Sequence, residues 1–136
     1  MDITEIQDVF LKCEVFKGLD DGLVGLLLMT ANPASYAEGE LIYSKGDPAG
    51  GTFALIASGK VSAIAESGFV LSELGMGEII GEVGTISQQG QRTITIKALE
   101  PTRTLQWNIE EIQLKSPELL DKLKELAWRR IKTCCE

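Results

Sequence analysis

Residues 75–95 run GMGEIIGEVGTISQQGQRTIT, with glycines at Gly75, Gly77, Gly81, Gly84 and Gly90, a carboxylate at Glu82 and a guanidinium at Arg92 ten positions on. Glycines let backbone N–H groups approach an anion with no Cβ in the way, and a short helix beginning near Glu82 would aim several unpaired N–H groups at it. Arg92 adds two parallel donors and a charge that survives enclosure. Glu82 repels an anion, but it can accept a hydrogen bond from a sugar hydroxyl, as acidic residues do at ribose in dinucleotide sites. The segment thus describes a cradle for a small nucleotide carrying one negative charge. Taken alone, Glu82 and Arg92 fit a surface ion pair on a loop better, and it is the glycine spacing and the strand pattern around them that favour the binding reading.

The segments on either side supply short β-branched or aromatic runs separated by glycine turns. These are Tyr36, residues 41–43, 52–56, 61–64, 69–71, 93–96 and 104–107, and Glu66-Ser67-Gly68 has the composition of a tight hairpin turn. Seven or eight short strands at this spacing, with no long helix between them, predict an antiparallel sandwich or jelly roll. Both ends switch to a helical period. Ile3, Ile6, Val9, Phe10 and Cys13 recur at three- and four-residue steps, and Asp20 or Asp21 can cap a second helix that Asn32-Pro33 stops. At the other end, Asn108 with Glu111 forms a capping box. Ser116-Pro117 then starts an apolar stripe through Leu119, Leu120, Leu123, Leu126, Ala127 and Ile131. One domain over residues 1–136 is expected: N-terminal helices in 1–33, a β-roll in 34–108 containing the cassette at 77–95, and C-terminal helices in 109–133.

Composition removes whole classes of function. The 136 residues include no histidine, which excludes Ser/His/Asp and Cys/His triads and His-based metal cages. The expectation is a non-enzyme with no catalytic residues, no metal and no cofactor. Thirteen Lys and Arg against 20 Asp and Glu give a net charge of −7 with no dense basic run, so no direct nucleic-acid contact is expected. The longest apolar run is far below the roughly 20 residues that span a bilayer, and the start of the chain is acidic where a signal peptide would be basic. Cys13, Cys134 and Cys135 make no disulfide framework, and a cytoplasmic location with no membrane partner follows.

The chain resembles the cyclic nucleotide-binding domain family, particularly its bacterial catabolite activator branch without the DNA-binding domain. The likeness rests on Gly81-Glu82-Val83-Gly84 followed by Arg92-Thr93, on Gly39-Glu40-Leu41-Ile42-Tyr43 with Lys45-Gly46-Asp47, on Ser58-Gly59-Lys60-Val61, and on Gly77-Glu78. It extends over roughly residues 10 to 133. The resemblance implies a double-stranded β-helix of about eight antiparallel strands with helices at both ends. It further implies cyclic AMP or cyclic GMP as ligand. Glu82 would take the ribose 2′-hydroxyl, Arg92 the cyclic phosphate, Gly81, Val83 and Gly84 would give backbone contacts, and the Thr93 hydroxyl would reach a phosphate oxygen. The C-terminal helix would fold over the base as a lid, pair with its twin in a homodimer, or pass the signal to a protein effector.

Some positions depart from the family pattern. Ile80 stands where Phe is common, Thr85 where Leu is, and Ile94 where alanine is preferred beside the phosphate. Cys134 and Cys135 fall where the activator branch has hydroxyl residues on adenine, and thiols are weak hydrogen-bond partners. These departures support the alternative of an orphan module of the same fold that serves protein interaction or dimerisation. Trp107 is expected to fill the roll, Trp128 to pack from the last helix, and Cys13 to be a small buried apolar residue. Arg92→Ala is expected to remove most nucleotide affinity with the fold intact.

Overall fold

The computed structural model describes residues 8–9, 12–48, 51–65, 67–82, 92 and 94–134. Residues 8, 9 and 12 are helical and lead into a 3-10 turn at Glu14–Phe16. Helix α1 (Asp21–Thr30) follows. Eight strands come next: β1 (Asn32–Tyr36), β2 (Leu41–Tyr43), β3 (Thr52–Ser58), β4 (Lys60–Ile64), β5 (Val70–Gly75), β6 (Ile79–Ile80), β7 (Thr95–Ala98) and β8 (Thr102–Asn108). Helices α2 (Ile109–Lys115) and α3 (Pro117–Cys134) close the described chain. The strands form two four-stranded sheets, in the orders β1-β8-β3-β6 and β2-β7-β4-β5, and every pairing is antiparallel. This is the β-roll with terminal helices that the sequence predicts. Among the described residues, no helix is long and apolar enough to cross a membrane.

The two-residue period of β3 and β8 produces two apolar layers. Phe53, Leu55 and Ala57 of β3 join Leu105 and Trp107 of β8 on the face covered by the helices, with Leu27, Leu119 and Leu123. Ala54 and Ile56 point the other way, between the sheets, where they meet Val61, Ala63, Ile80 and Ile96. Trp107 therefore lies on the helix side of the sheet and not inside the roll. It is held there by an Nε1–H bond to the Leu27 carbonyl at 2.9 Å and by the rings of Phe16 and Phe53 at 5.6 and 5.8 Å. Cys13 is buried in the same layer, as expected.

The caps predicted at Asn108 and Ser116 form, whereas Asp20 stands at the N-cap of α1 with no side-chain cap bond. The Asn108 side chain accepts from the Glu110 N–H at 2.8 Å, and Ser116 Oγ accepts from the Leu119 N–H at 3.2 Å. Helix α1 ends at Thr30, and Asn32-Pro33 belong already to β1. That strand is at a sheet edge, where the missing proline N–H removes no ladder bond of consequence. Ile79–Ile80, inside the glycine-rich segment, form a strand of their own against Ala54 and Leu55. On α3, Leu119, Leu123 and Ala127 are buried against the chain's own core, while Trp128 is 63% exposed and faces solvent.

Gly59, between β3 and β4, has φ +97, and a Cβ there would come within 2.6 Å of the Pro101 carbonyl and 2.7 Å of Thr102 Cα. Both obstacles are backbone. Gly59→Ala should therefore cost about 2 kcal/mol or more in unfolding free energy, read by urea denaturation. A change within about 0.5 kcal/mol would contradict the tight approach of the two hairpins.

Candidate ligand-binding site

The site begins where β6 ends. Gly81 turns the chain with φ +85, directly after Ile80 has paired with Ala54, and Glu82 leaves the turn in helical conformation. Arg92 is fixed from its backbone: its N–H donates to the Asp47 carbonyl at 2.8 Å and its carbonyl accepts from the Gly46 N–H at 2.9 Å. The turn after β2 thus sets the start of the Arg92 side chain, and the side chain runs inward to Gly81.

The guanidinium is 6% exposed. Its Nη1 donates to the carbonyls of Thr52 and Gly81, both at 3.0 Å, and Nη2 donates to Thr52 Oγ1 at 3.0 Å. Its carbon lies 3.7 Å from the centroid of the Tyr43 ring, a cation–π contact. Glu82 is 2% exposed. A buried cation and a buried carboxylate stay charged only where opposite charge and hydrogen bonds replace water, and the two fields support each other here. Burial pulls the Arg92 guanidinium below its ordinary value, and the fields of Tyr43, Glu82 and Tyr36 oppose that pull.

The close packing of these groups depends on a missing side chain. A Cβ on residue 81 would come 2.6 Å from Arg92 Nη1 and 3.0 Å from Tyr43 Cε2 and Oη. A fixed cation, a carboxylate and a glycine turn thus meet in one place, and Tyr43 Oη, enclosed beside them, has no hydrogen-bond partner among the described residues.

Three of the six residues expected from the sequence, Gly81, Glu82 and Arg92, are brought together. Val83, Gly84 and Thr93 lie outside the described residues, as do Thr85, Cys135 and the side chain of Cys134. Ile94 is half-buried and packs against the layer between the sheets, together with Ile42, Tyr43 and Leu74. Tyr43 and Thr52 are site residues that the sequence reading missed. The available signal was slight, an aromatic ring in the short run Leu41-Ile42-Tyr43 and a hydroxyl directly after Gly51. Arg92 also has a structural duty, because its bonds join the start of β3 to the β6 turn. Arg92→Ala removes its bonds to Thr52 and Gly81, so a loss of stability is expected beside the loss of affinity.

The family model described as "Cyclic nucleotide-binding domain" matches residues 33–113, and the chain belongs to that family. The catabolite activator protein of Thermus thermophilus is 30% identical, with a TM-score of 0.74 over 88% of this chain and 58% of that one. A cAMP-bound PfPKA-R is 20% identical, with a TM-score of 0.80 over 96% of this chain and 44% of that one. The regulatory subunit of a cAMP-independent protein kinase A from Trypanosoma brucei is 20% identical, with a TM-score of 0.77 over 93% of this chain and 44% of that one. The chain spans about half the length of each of these structures. A search of the curated proteins found no match.

The Tyr43 hydroxyl is pushed up to about 12, mainly by burial, against the lowering field of Arg92 and with the help of Tyr36 and Glu82. Its folded value is above the unfolded one, so its ionisation leaves stability unchanged below about pH 10 and lowers it progressively as pH rises towards 12. Urea denaturation of the parent and Tyr43→Phe at about pH 8 and about pH 11.5 reads this directly. The balance should move towards the Phe variant by about 2 kcal/mol at the higher pH. A difference that stays constant with pH would show that the phenol is not desolvated.

Proposed function

We infer that this chain is a regulatory module that binds a cyclic nucleotide, cyclic AMP or cyclic GMP, through Arg92, Glu82 and the loop begun by Gly81. The observation that carries the reading is the buried guanidinium of Arg92, set by backbone bonds and aimed at a glycine turn whose next residue is a buried carboxylate. In this reading the cyclic phosphate meets Arg92 and the ribose 2′-hydroxyl meets Glu82, with Val83, Gly84 and Thr93 completing the loop. The cAMP-bound state of a structure sharing the fold supports the ligand class. Binding has no turnover here; the module holds its ligand and reports it, in the cytoplasm, to a protein effector.

The reporting element in this reading is α3. Thr52, which receives two of the Arg92 bonds, is followed by Phe53, and Phe53 lies in the apolar layer that buries Leu119 and Leu123 of α3. A ligand that contacts one arrangement better than the other shifts the population of both. A homodimer through α3 would use its outer face, the one that carries Trp128, since Leu119, Leu123 and Ala127 are already buried.

A second reading, an orphan interaction module, draws on Ile94 packed beside Tyr43 and on the cAMP-independent regulatory subunit that shares the fold. A tight dimer in native mass spectrometry, unchanged by nucleotide, would favour it.

Calorimetric titration with cyclic AMP and cyclic GMP tests the main reading. Arg92→Ala should weaken binding on the order of 10- to 100-fold, because a charge-assisted pair of donors is lost. The same variant should lose about 1–3 kcal/mol of stability through the bonds to Thr52 and Gly81 that it removes, so it is titrated well below its melting temperature. Glu82→Ala should weaken binding less. Unchanged affinity in a folded Arg92→Ala protein would remove the cassette assignment.

A further inference from the structure

Tyr43 is accounted for by neither the glycine loop nor the guanidinium hydrogen bonds. Its ring closes the layer between the sheets beside Ile42, Leu74 and Ile94, while its hydroxyl reaches past that layer to the Gly81 turn. The oxygen is fully enclosed and makes no hydrogen bond to any described residue. A buried hydroxyl left in this condition costs about 1–3 kcal/mol, and phenylalanine would fill the same volume without that cost.

Two neighbours say what would satisfy it. The Arg92 guanidinium stacks 3.7 Å above the ring centroid, so an acceptor entering beside Arg92 is within reach of the phenol as well. The positive charge polarises the O–H bond and makes it a better donor to an anion. The Gly81 turn lies directly against the hydroxyl, since a Cβ there would stand 3.0 Å from Oη. Burial also keeps the phenol protonated, hence a donor, across the neutral and mildly alkaline range.

We propose that Tyr43 is a ligand-contacting residue of this site, its hydroxyl donating a hydrogen bond to a phosphate oxygen of the bound cyclic nucleotide beside the Arg92 guanidinium. This rests on the cyclic-nucleotide reading of the same site. The phosphate is common to both nucleotides, so the contact adds affinity without choosing between bases. It also makes the empty site less stable than it need be, and ligand entry removes that penalty.

The test compares the parent with Tyr43→Phe in thermal unfolding without nucleotide and in calorimetric titration with cyclic AMP and with cyclic GMP. The Phe variant should unfold at a higher temperature when empty. It should also bind both nucleotides roughly three- to tenfold more weakly, by the same factor for each. Gain of stability with loss of affinity is the signature, because a residue that only packs would move both in one direction. A parent that binds and a Phe variant that binds equally well overturn the Tyr43 contact alone. Loss confined to one nucleotide also overturns it, since a phosphate contact cannot distinguish bases. A folded parent that binds neither nucleotide overturns the cyclic-nucleotide reading and this contact with it.

Discussion

A buried guanidinium is costly to maintain, and the way this chain offsets that cost organises the roll. Arg92 takes two backbone bonds from the turn after β2, gives three side-chain bonds to Thr52 and Gly81, and lies on the face of Tyr43. Those partners belong to three different strands or turns. Without the guanidinium both carbonyls would lose a charge-assisted donor, and without the carbonyls the charge would need water. The same contacts that hold β3, the β6 turn and the β2 turn together therefore also present a fixed cation beside a glycine turn. In the proposed reading structure and recognition share one residue, so removing Arg92 is expected to cost stability as well as affinity.

The apolar layers explain how such a site could be read elsewhere in the molecule. β3 faces the site with one set of residues and the helices with the other, so in the proposed reading a shift at Thr52 would reach Phe53, Trp107 and the buried residues of α3. Packed layers of this kind pass on displacement because they contain little free volume. The Trp107 indole, bonded to the Leu27 carbonyl, ties the N-terminal helix into the same layer.

Much of the fold was legible because it depends on local signals. Alternation located the longer strands, and Asn108 and Ser116 announced the last two helices through cap chemistry that works over three residues. Alternation gives the parity of a strand but not which face meets which layer, and so Trp107 was placed on the wrong side of its sheet. Ile79–Ile80 are too short to show a period at all. Of the site, Gly81, Glu82 and Arg92 were legible as a cluster of unusual composition. Tyr43 and Thr52 were not, because only the pairing of β2 with β7 and of β3 with β6 brings them to Arg92.

The central claim is that the Gly81 turn, Glu82 and Arg92 form one receptor for a cyclic nucleotide phosphate. An amide-resolved NMR titration of the intact chain with cyclic AMP, repeated with cyclic GMP, tests it most directly. The account predicts saturable shifts centred on the amides of Gly81, Glu82, Arg92 and Thr52, with smaller changes along α3. Shifts centred elsewhere, or a spectrum of the folded protein that neither nucleotide alters, would contradict it.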